Sequence, residues 1–304
     1  MRNATEQSTP RRSPADGSVS LRPAREGDAE ACGRIIFEAF RRLAERHHFP
    51  PDFPSAEAGV EMARGFIAHP SVFGVVAEHD GRVIGSNFLT EFDEIRAVGP
   101  ITVDPASQAR GVGRRLMQAV MERAAGAAGV RLVQDAFNTA SISLYASLGF
   151  DAREPLALVR GVPTSRAAAA GVEVRPMCEE DLPGCAELCR KVHGVERTGE
   201  LRLTIGRLGS TVLLRGGRVA AYVSAPRFWV LNHGVAETEE DMRALLLAAG
   251  AAGAEPLSFL LPIQQAGFFR WCLSEGFRVV KPMTLMTVGK YHEPRGHYFP
   301  SVLY

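Results

Sequence analysis

The sequence predicts a mixed α/β fold built twice in tandem, and three observations carry that reading. The first is an internal echo. "VSLRPAREGDAEAC" (Val19–Cys32) matches "VEVRPMCEEDLPGC" (Val172–Cys185), with Arg22, Pro23, Asp28 and Cys32 against Arg175, Pro176, Asp181 and Cys185 at an offset of 153. The echo continues at shrinking offsets: "DGRVIG" (Asp80–Gly85) against "GGRVAA" (Gly216–Ala221) at 136, and "LYASLGF" (Leu144–Phe150) against "WCLSEGF" (Trp271–Phe277) at 127. Pro155 and Leu158 match Pro282 and Leu285 at the last of these offsets. Matches that keep their order across two deletions mark a duplicated domain whose second copy is shorter. The second observation is the alternation of strand and helix signals around one hairpin, which suits a sheet partly antiparallel and partly parallel. The third is length: 304 residues suffice for two domains of ordinary size.

In order along the chain, "MRNATEQSTPRRSPADGS" has no apolar stretch and reads as a disordered tail over residues 1–18. The first copy spans 19–161. Its opening strand and turn lead to a helix, with Asp28 at the start where a carboxylate is favoured. His47 and His48, in "ERHHFPPDFP", fall in a loop between helical stretches. A hairpin follows, then an acidic stretch with Glu91, Asp93 and Glu94, then the strand "GPITVDP". Leu116, Val120, Met121 and Ala124 form one apolar stripe of the next helix. A strand, the "LYASLGF" helix and a last strand complete the copy. The alanine-rich stretch over 162–171 reads as a linker, and the second copy spans 172–290. The tail over 291–304, "YHEPRGHYFPSVLY", is aromatic and apolar, so it is expected to dock.

Composition narrows the function. A net charge of +1 argues against a general nucleic-acid binder. Five cysteines without a disulfide-like framework read as reduced thiols in a cytoplasmic protein. There is no secretory signal, and the longest apolar run is broken by Glu255 and Pro256. Cys185, Cys189 and His193 share a helix face, but no fourth ligand is evident; they read as core residues and no metal is expected.

The informative stretch is "QARGVGRR", which opens the helix after "GPITVDP". A helix start carries free N–H groups and partial positive charge and favours acids. This one has Arg110, Arg114 and Arg115, with Gly111 and Gly113 between them. Such an end is built to be neutralised by an anion such as phosphate. A P-loop is excluded because no Lys-Ser or Lys-Thr occurs, and the dinucleotide fingerprint fails because Leu116 stands at its third glycine. That disfavours a nucleotide-binding enzyme. What is present is V-x-P-x-x-Q-x-R-G-x-G-R-x-L from Val103 to Leu116, then "NTASISLYASLGF" from Asn138 to Phe150.

Together these segments resemble the two signature motifs of the GNAT superfamily of acyl-CoA N-acyltransferases, over Val19 to about Gly161. The resemblance implies two tandem GNAT-like domains, with acetyl-CoA as cosubstrate. It implies that Gln108, Ala109, Arg110, Gly111, Val112, Gly113 and Arg114 hold its pyrophosphate, and that Ile101, Thr102 and Val103 pair their backbone with pantetheine. It also places Asn138 on pantetheine, with Ser141 in the same segment where the family pattern has Ala, and Tyr145 near the sulfur. Tyr145 suits a donor to the leaving thiolate. Glu94 lies where some relatives place a catalytic glutamate and shares strand parity with Thr102, although Pro100 intervenes. In the second copy the loop's counterpart, near "HGVAETEEDMRALL", has neither the glycine pair nor the arginines, and Cys272 replaces Tyr145. The implied function is N-acetyl transfer to an amine of a small molecule or peptide. Chemistry falls to the first copy, and a degenerate second copy shapes the acceptor site. A non-catalytic acyl-CoA-binding or regulatory module is the alternative, and it would not need Tyr145.

Overall fold

The computed structural model describes residues 19–107, 111–165 and 171–303. The tail over 1–18, residues 166–170 of the linker, and Gln108, Ala109 and Arg110 of the glycine loop lie outside the described residues. The first copy runs β1 (Ser20–Pro23), α1 (Ala29–His47), α2 (Ala56–Ala68), β2 (Val72–His79), β3 (Arg82–Thr90), β4 (Ile95–Val98), β5 (Thr102–Val103), α3 (Val112–Arg123), β6 (Gly129–Asp135), α4 (Thr139–Ser147) and β7 (Asp151–Gly161). The second runs β8 (Glu173–Pro176), α5 (Leu182–His193), α6 (Thr198–Thr204), β9 (Thr211–Arg215), β10 (Arg218–Val223), β11 (Gly234–Ala236), α7 (Glu239–Ala251), β12 (Leu257–Pro262), α8 (Ala266–Ser274) and β13 (Arg278–Gly289). A short strand, β14 (His297–Phe299), follows.

The repeated Arg-Pro…Asp signature has a local cause. Arg22 on β1 holds Asp28 through two guanidinium bonds of 2.7 and 2.9 Å, and Arg175 holds Asp181 through two of 2.7 Å. Each carboxylate also accepts a backbone N–H three residues earlier, from Arg25 and Cys178. These aspartates therefore reach back to the strand and do not cap the helix that follows. The arginine bonds hold both carboxyls below their usual range.

One sheet has the order β1-β2-β3-β4-β6-β13-β7-β12, with β5 beside β3, and a second has β14-β11-β10-β9-β8. Of the described pairs, β4–β6 is parallel and the others are antiparallel. In the larger sheet β13, the last strand of the second copy, lies between β6 and β7 of the first. The exchange is symmetric. Leu156 pairs with Met283, its own counterpart at the offset of 127. The flanking pairs Ala157–Pro282 and Pro155–Thr284 are images of each other at that offset, as are Asp135–Met283 and Pro262–Leu156. A pseudo-twofold axis thus passes through Leu156 and Met283, and each copy gives its last strand to the other's sheet.

Leu156, Leu158, Met283 and Leu285 sit in one buried cluster with Ile95, Ala97 and Leu260, drawn from both copies. Burying such a side chain contributes about 1.5–3 kcal/mol, and here each contribution is shared by two domains. The copies should therefore unfold together. Leu116, fully buried in the first copy, reports on this. Leu116→Ala should cost about 2–5 kcal/mol. It should shift the fluorescence transition of Trp229 and Trp271, the only two tryptophans and both in the second copy, together with the far-ultraviolet dichroism. A tryptophan midpoint that stays put would mean that the halves melt independently.

Candidate active site

The parallel strands β4 and β6 pair over Ile95–Ala97 and Gly129–Arg131 and then separate. Past Pro100 the chain continues as β5, which pairs with β3 through Gly85–Val103 and Ser86–Thr102. Among the described strands, β3 is the one that pairs with β5. The result is a gap with the backbone of Ile101–Val103 on one side and the end of β6 on the other.

Helix α3 begins at the open end of β5. Its N-cap is Gly111, in the left-handed conformation at φ 72°, with no side-chain cap and no acid in the first turn. A side chain at Gly111 would be strained by that backbone. At Gly113 packing makes no such demand: an added β-carbon would lie 3.6 Å from Leu144 and 4.0 Å from Val103, ordinary contact distances. The same distances show that β5, the start of α3 and α4 converge. The N-cap residue gives the first N–H groups of α3 no side-chain partner, unlike the Ser, Thr, Asp or Asn that usually stands there. Arg114 and Arg115 are both exposed; Arg114 donates to Ser147 Oγ on α4 at 2.7 Å, and Arg115 to the Val19 carbonyl at 2.7 Å. They brace the junction as well as charging it. Val112 is buried in the core.

On the far side of the gap, Asn138 caps α4: its Oδ1 accepts from Ser141 N at 3.2 Å. With Oδ1 committed, the group Asn138 offers a ligand is its Nδ2 donor. Tyr145 is buried among Val112, Leu116 and Phe150. Burial pushes its phenol up to about 12, against a hydrogen bond with the Ser141 side chain that acts in the opposite direction. The structure therefore brings Ile101–Val103, Gly111–Gly113, Asn138, Ser141 and Tyr145 together.

It does not bring Glu94 with them. Glu94 precedes β4, is 45 % exposed, and pairs with Lys290 at 3.3 Å. Ile95 lies opposite Gly129, at the start of β6. At about 3.3 Å per residue, β6 separates Glu94 from the Asp135 end by roughly 20 Å.

At the Asp135 end stands a group that no local spacing announces. Lys281, on β13 of the second copy, is 2 % exposed. Its Nζ lies 2.7 Å from Asp135 and 2.6 and 2.9 Å from the two carboxylate oxygens of Asp52, with the Trp229 ring 5.3 Å away. Phe137 stacks on Phe49 at 4.3 Å and meets His47 at 5.0 Å, so the loop after α1 folds over the β6–α4 junction. One signal was available in the sequence. Lys281 is the repeat counterpart of Glu154, a reversal of charge at positions buried in both copies.

Among the described residues no group of three His, Cys, Asp or Glu is placed to hold a metal. Cys185, Cys189 and His193 are buried in the second copy's core, and burial pushes His193 down to about 3.

Residues 36–150 match the profile of the acetyltransferase (GNAT) family. The match lies within the first copy and bears out its resemblance to the GNAT superfamily. No curated protein sequence matches the chain. Among solved structures, a protein from Pyrococcus horikoshii assigned to the acetyltransferases is similar at 17% identity and a TM-score of 0.69, covering 94% of both chains. A GCN5-related N-acetyltransferase from Sphaerobacter thermophilus is similar at 14% identity and 0.56, covering 91% of this chain and 98% of the other. A tandem GNAT protein from the clavulanic acid biosynthesis pathway is similar at 16% identity and 0.56, covering 89% and 98%. The last two likenesses span nearly their whole lengths, so the fold of both copies is shared. Among the described residues, no helix is long and apolar enough to cross a membrane.

The second copy departs from the first at the end of its gap. Residues Glu237 and Thr238 alone join β11 to α7, where Asp104–Gly111 join β5 to α3. Thr238 Oγ1 caps α7 by accepting from Asp241 N at 3.1 Å, and Glu239, Glu240 and Asp241 fill the first turn. Cys272, in the place of Tyr145, is fully buried.

The Lys281 group yields a direct test. Removing one partner of a buried ion pair costs about 3–5 kcal/mol. Lys281→Met should lower stability in denaturant by that order, whereas Lys290→Met, which breaks the exposed pair with Glu94, should cost no more than about 1 kcal/mol. Equal losses would mean that the buried group has been misjudged.

Proposed function

We propose that the chain is an acetyl-CoA-dependent N-acetyltransferase that acts on a primary amine of a small-molecule or peptide acceptor. The GNAT domain over 19–161 does the chemistry, and residues 172–290, degenerate for coenzyme, shape the acceptor side. The observation that carries this reading is the convergence of β5, the glycine-capped start of α3 and α4, the helix that holds the buried Tyr145. Pyrophosphate would lie on the amides of the Gln108–Arg114 loop. Pantetheine would pair with Ile101–Val103 and take the Asn138 amide.

In the reaction the amine nitrogen attacks the thioester carbonyl carbon. The C–N bond forms, the C–S bond breaks with its electron pair going to sulfur, and the nitrogen loses a proton. A lysine-like amine must first be neutral, which costs roughly 4–5 kcal/mol at pH 7. We assign proton acceptance to the Asp135–Asp52 pair rather than to Glu94. Two carboxylates face one ammonium there, and the excess negative charge suits a cationic acceptor. Lys281 and Trp229 come from the second copy, which is how residues 172–290 enter the acceptor side. Tyr145, held near 12, is a weaker acid than a thiol at about 8.5, so its hydroxyl stabilises the developing thiolate as a hydrogen-bond donor without full transfer.

Release of thiol from acetyl-CoA, measured against a panel of amines, peptides and aminated small molecules, tests the reading; silence across cationic acceptors would count against it. Calorimetry should give one acetyl-CoA site per chain, weakened when Gly111 and Gly113 are replaced by bulky residues. Tyr145→Phe should keep coenzyme affinity and melting temperature while kcat falls roughly 10²–10³-fold. An unchanged kcat in a folded Phe variant would remove Tyr145 from the mechanism and leave a coenzyme-binding role. Glu94→Gln should leave kcat essentially unchanged.

The pH profile follows from the direction of the Tyr145 shift. The phenol is raised, so the donor stays protonated well above pH 8 and is lost only as pH approaches about 12. An ordinary tyrosine near 10 would be half ionised at pH 10. The kcat should therefore show no Tyr145-dependent fall between pH 8 and 10 when wild type and Tyr145→Phe are compared.

A further inference from the structure

The second copy has its own gap between β11 and β12, and the chain fills it. The hairpin echo aligns Gly85 with Ala221, and these pair with Val103 and Ala236 respectively. Ser86–Thr102 and Tyr222–Val235 follow in step. One backbone bond repeats beside them: Asp104 N donates to the Ile84 carbonyl at 2.8 Å, and Glu237 N to the Ala220 carbonyl at 2.9 Å. Gly234, Val235 and Ala236 therefore stand where Ile101, Thr102 and Val103 stand in the GNAT domain.

In the first copy no described strand lies beyond β5. In the second, β11 carries β14, in the pairs Gly234–Phe299, Val235–Tyr298 and Ala236–His297. The other wall of the gap repeats the correspondence. Gln265 lies 127 residues after Asn138. Its Nε2 donates to the Tyr298 carbonyl at 2.7 Å, so the side-chain amide that faces the first gap has a counterpart already bound to a backbone carbonyl in the second.

The fit is specific at the side chains. Phe299 is fully buried and stacks on Phe259 of β12 at 4.5 Å. A β-carbon on Gly234 would fall 2.4 Å from that ring, so only glycine admits it. The Tyr298 hydroxyl donates to Glu154, which also accepts from Tyr291. Beyond the strand, Ser301 Oγ donates to Glu200 at 2.6 Å and Val302 N to the Val230 carbonyl at 2.9 Å.

We propose that the second copy's gap is a strand-binding site whose ligand is an extended peptide, the chain's own residues 297–299, seated where the GNAT domain would hold pantetheine. Pantetheine carries amides along its length, and a peptide strand can likewise pair its backbone with a strand edge, as in β-strand addition. A phosphate-bearing ligand is disfavoured at this site. Thr238 already caps α7, and three carboxylates occupy its first turn. The comparison with pantetheine rests on the proposed coenzyme site of the first copy; the strand site does not.

The test uses the whole chain with a protease site inserted after exposed Glu293 and cut after folding, probed with a fluorescent peptide of residues 295–304. The nicked protein should exchange in one peptide per chain, and the uncut protein none. A peptide with Phe299→Ala should bind at least about tenfold more weakly, and saturating acetyl-CoA should leave the bound peptide in place. Equal uptake by the uncut chain, indifference to Phe299, or displacement by acetyl-CoA would overturn the proposal. If nicking unfolds the chain, recovery on adding the peptide supports the site and failure to recover overturns it. In the intact chain, Gly234→Ala should strip hydrogen-exchange protection from 297–303; retained protection would also overturn it. Acetyl-CoA binding to the uncut chain is measured separately. Its failure would remove the coenzyme reading and leave the peptide result standing.

Discussion

The exchange of β7 and β13 is the constraint on which the rest of the molecule depends. Strand β6 needs a neighbour on the side away from β4, and the first copy does not supply it. The neighbour is the last strand of the second copy, held in register by a row of pairs centred on Leu156 and Met283. That register delivers Lys281 to Asp135 and Asp52. A slip of one residue would turn Lys281 to the opposite face of the sheet and leave both carboxylates without it. The electrostatics of this buried group and the domain architecture are thus set by the same hydrogen-bond ladder.

The two copies show what one gap becomes under different local chemistry. At α3 a glycine cap supplies no side-chain acceptor and arginines follow it; at α7 a threonine caps the helix and three acids fill the first turn. The first arrangement invites an anion and the second repels one. The open strand edge left in the second copy would be a liability if bare, and a segment of the same chain covers it. The aromatic run that made residues 291–304 unlike a free terminus in sequence has its physical counterpart in Tyr298 and Phe299, both buried.

Much of this was legible in the sequence because its causes are local or repeated. The Arg-Pro…Asp echo reflects a bidentate pair closed within six residues, and the "LYASLGF" echo reflects a helix and strand that recur intact. Asn138, Ser141 and Tyr145 lie on one helical segment, so their spacing carried them together. The strand exchange was hidden because both copies present identical partners, and periodicity does not say which copy a strand joins. The group of Lys281, Asp52 and Asp135 was hidden for a related reason: its members lie 229 and 146 positions apart in sequence and meet only through that exchange. Glu94 shows the opposite case. Strand parity with Thr102 was sound arithmetic, but the chain breaks at Pro100 into two strands, so parity on one does not fix direction on the other.

The placement of β13 also bears on how the protein is made. Synthesis finishes β7 at Gly161 and does not reach Gly289, the end of β13, for another 128 residues. At ~5–20 residues per second, the nascent first copy waits roughly 6–26 s with the flank of β6 uncovered and β7 without its partner strand. For that interval the first copy is an exposed sheet edge tethered to a ribosome, and neighbouring nascent copies on one message carry the same edge. The first copy, complete in sequence at Gly161, becomes complete in structure only once the last strand of the second has been made.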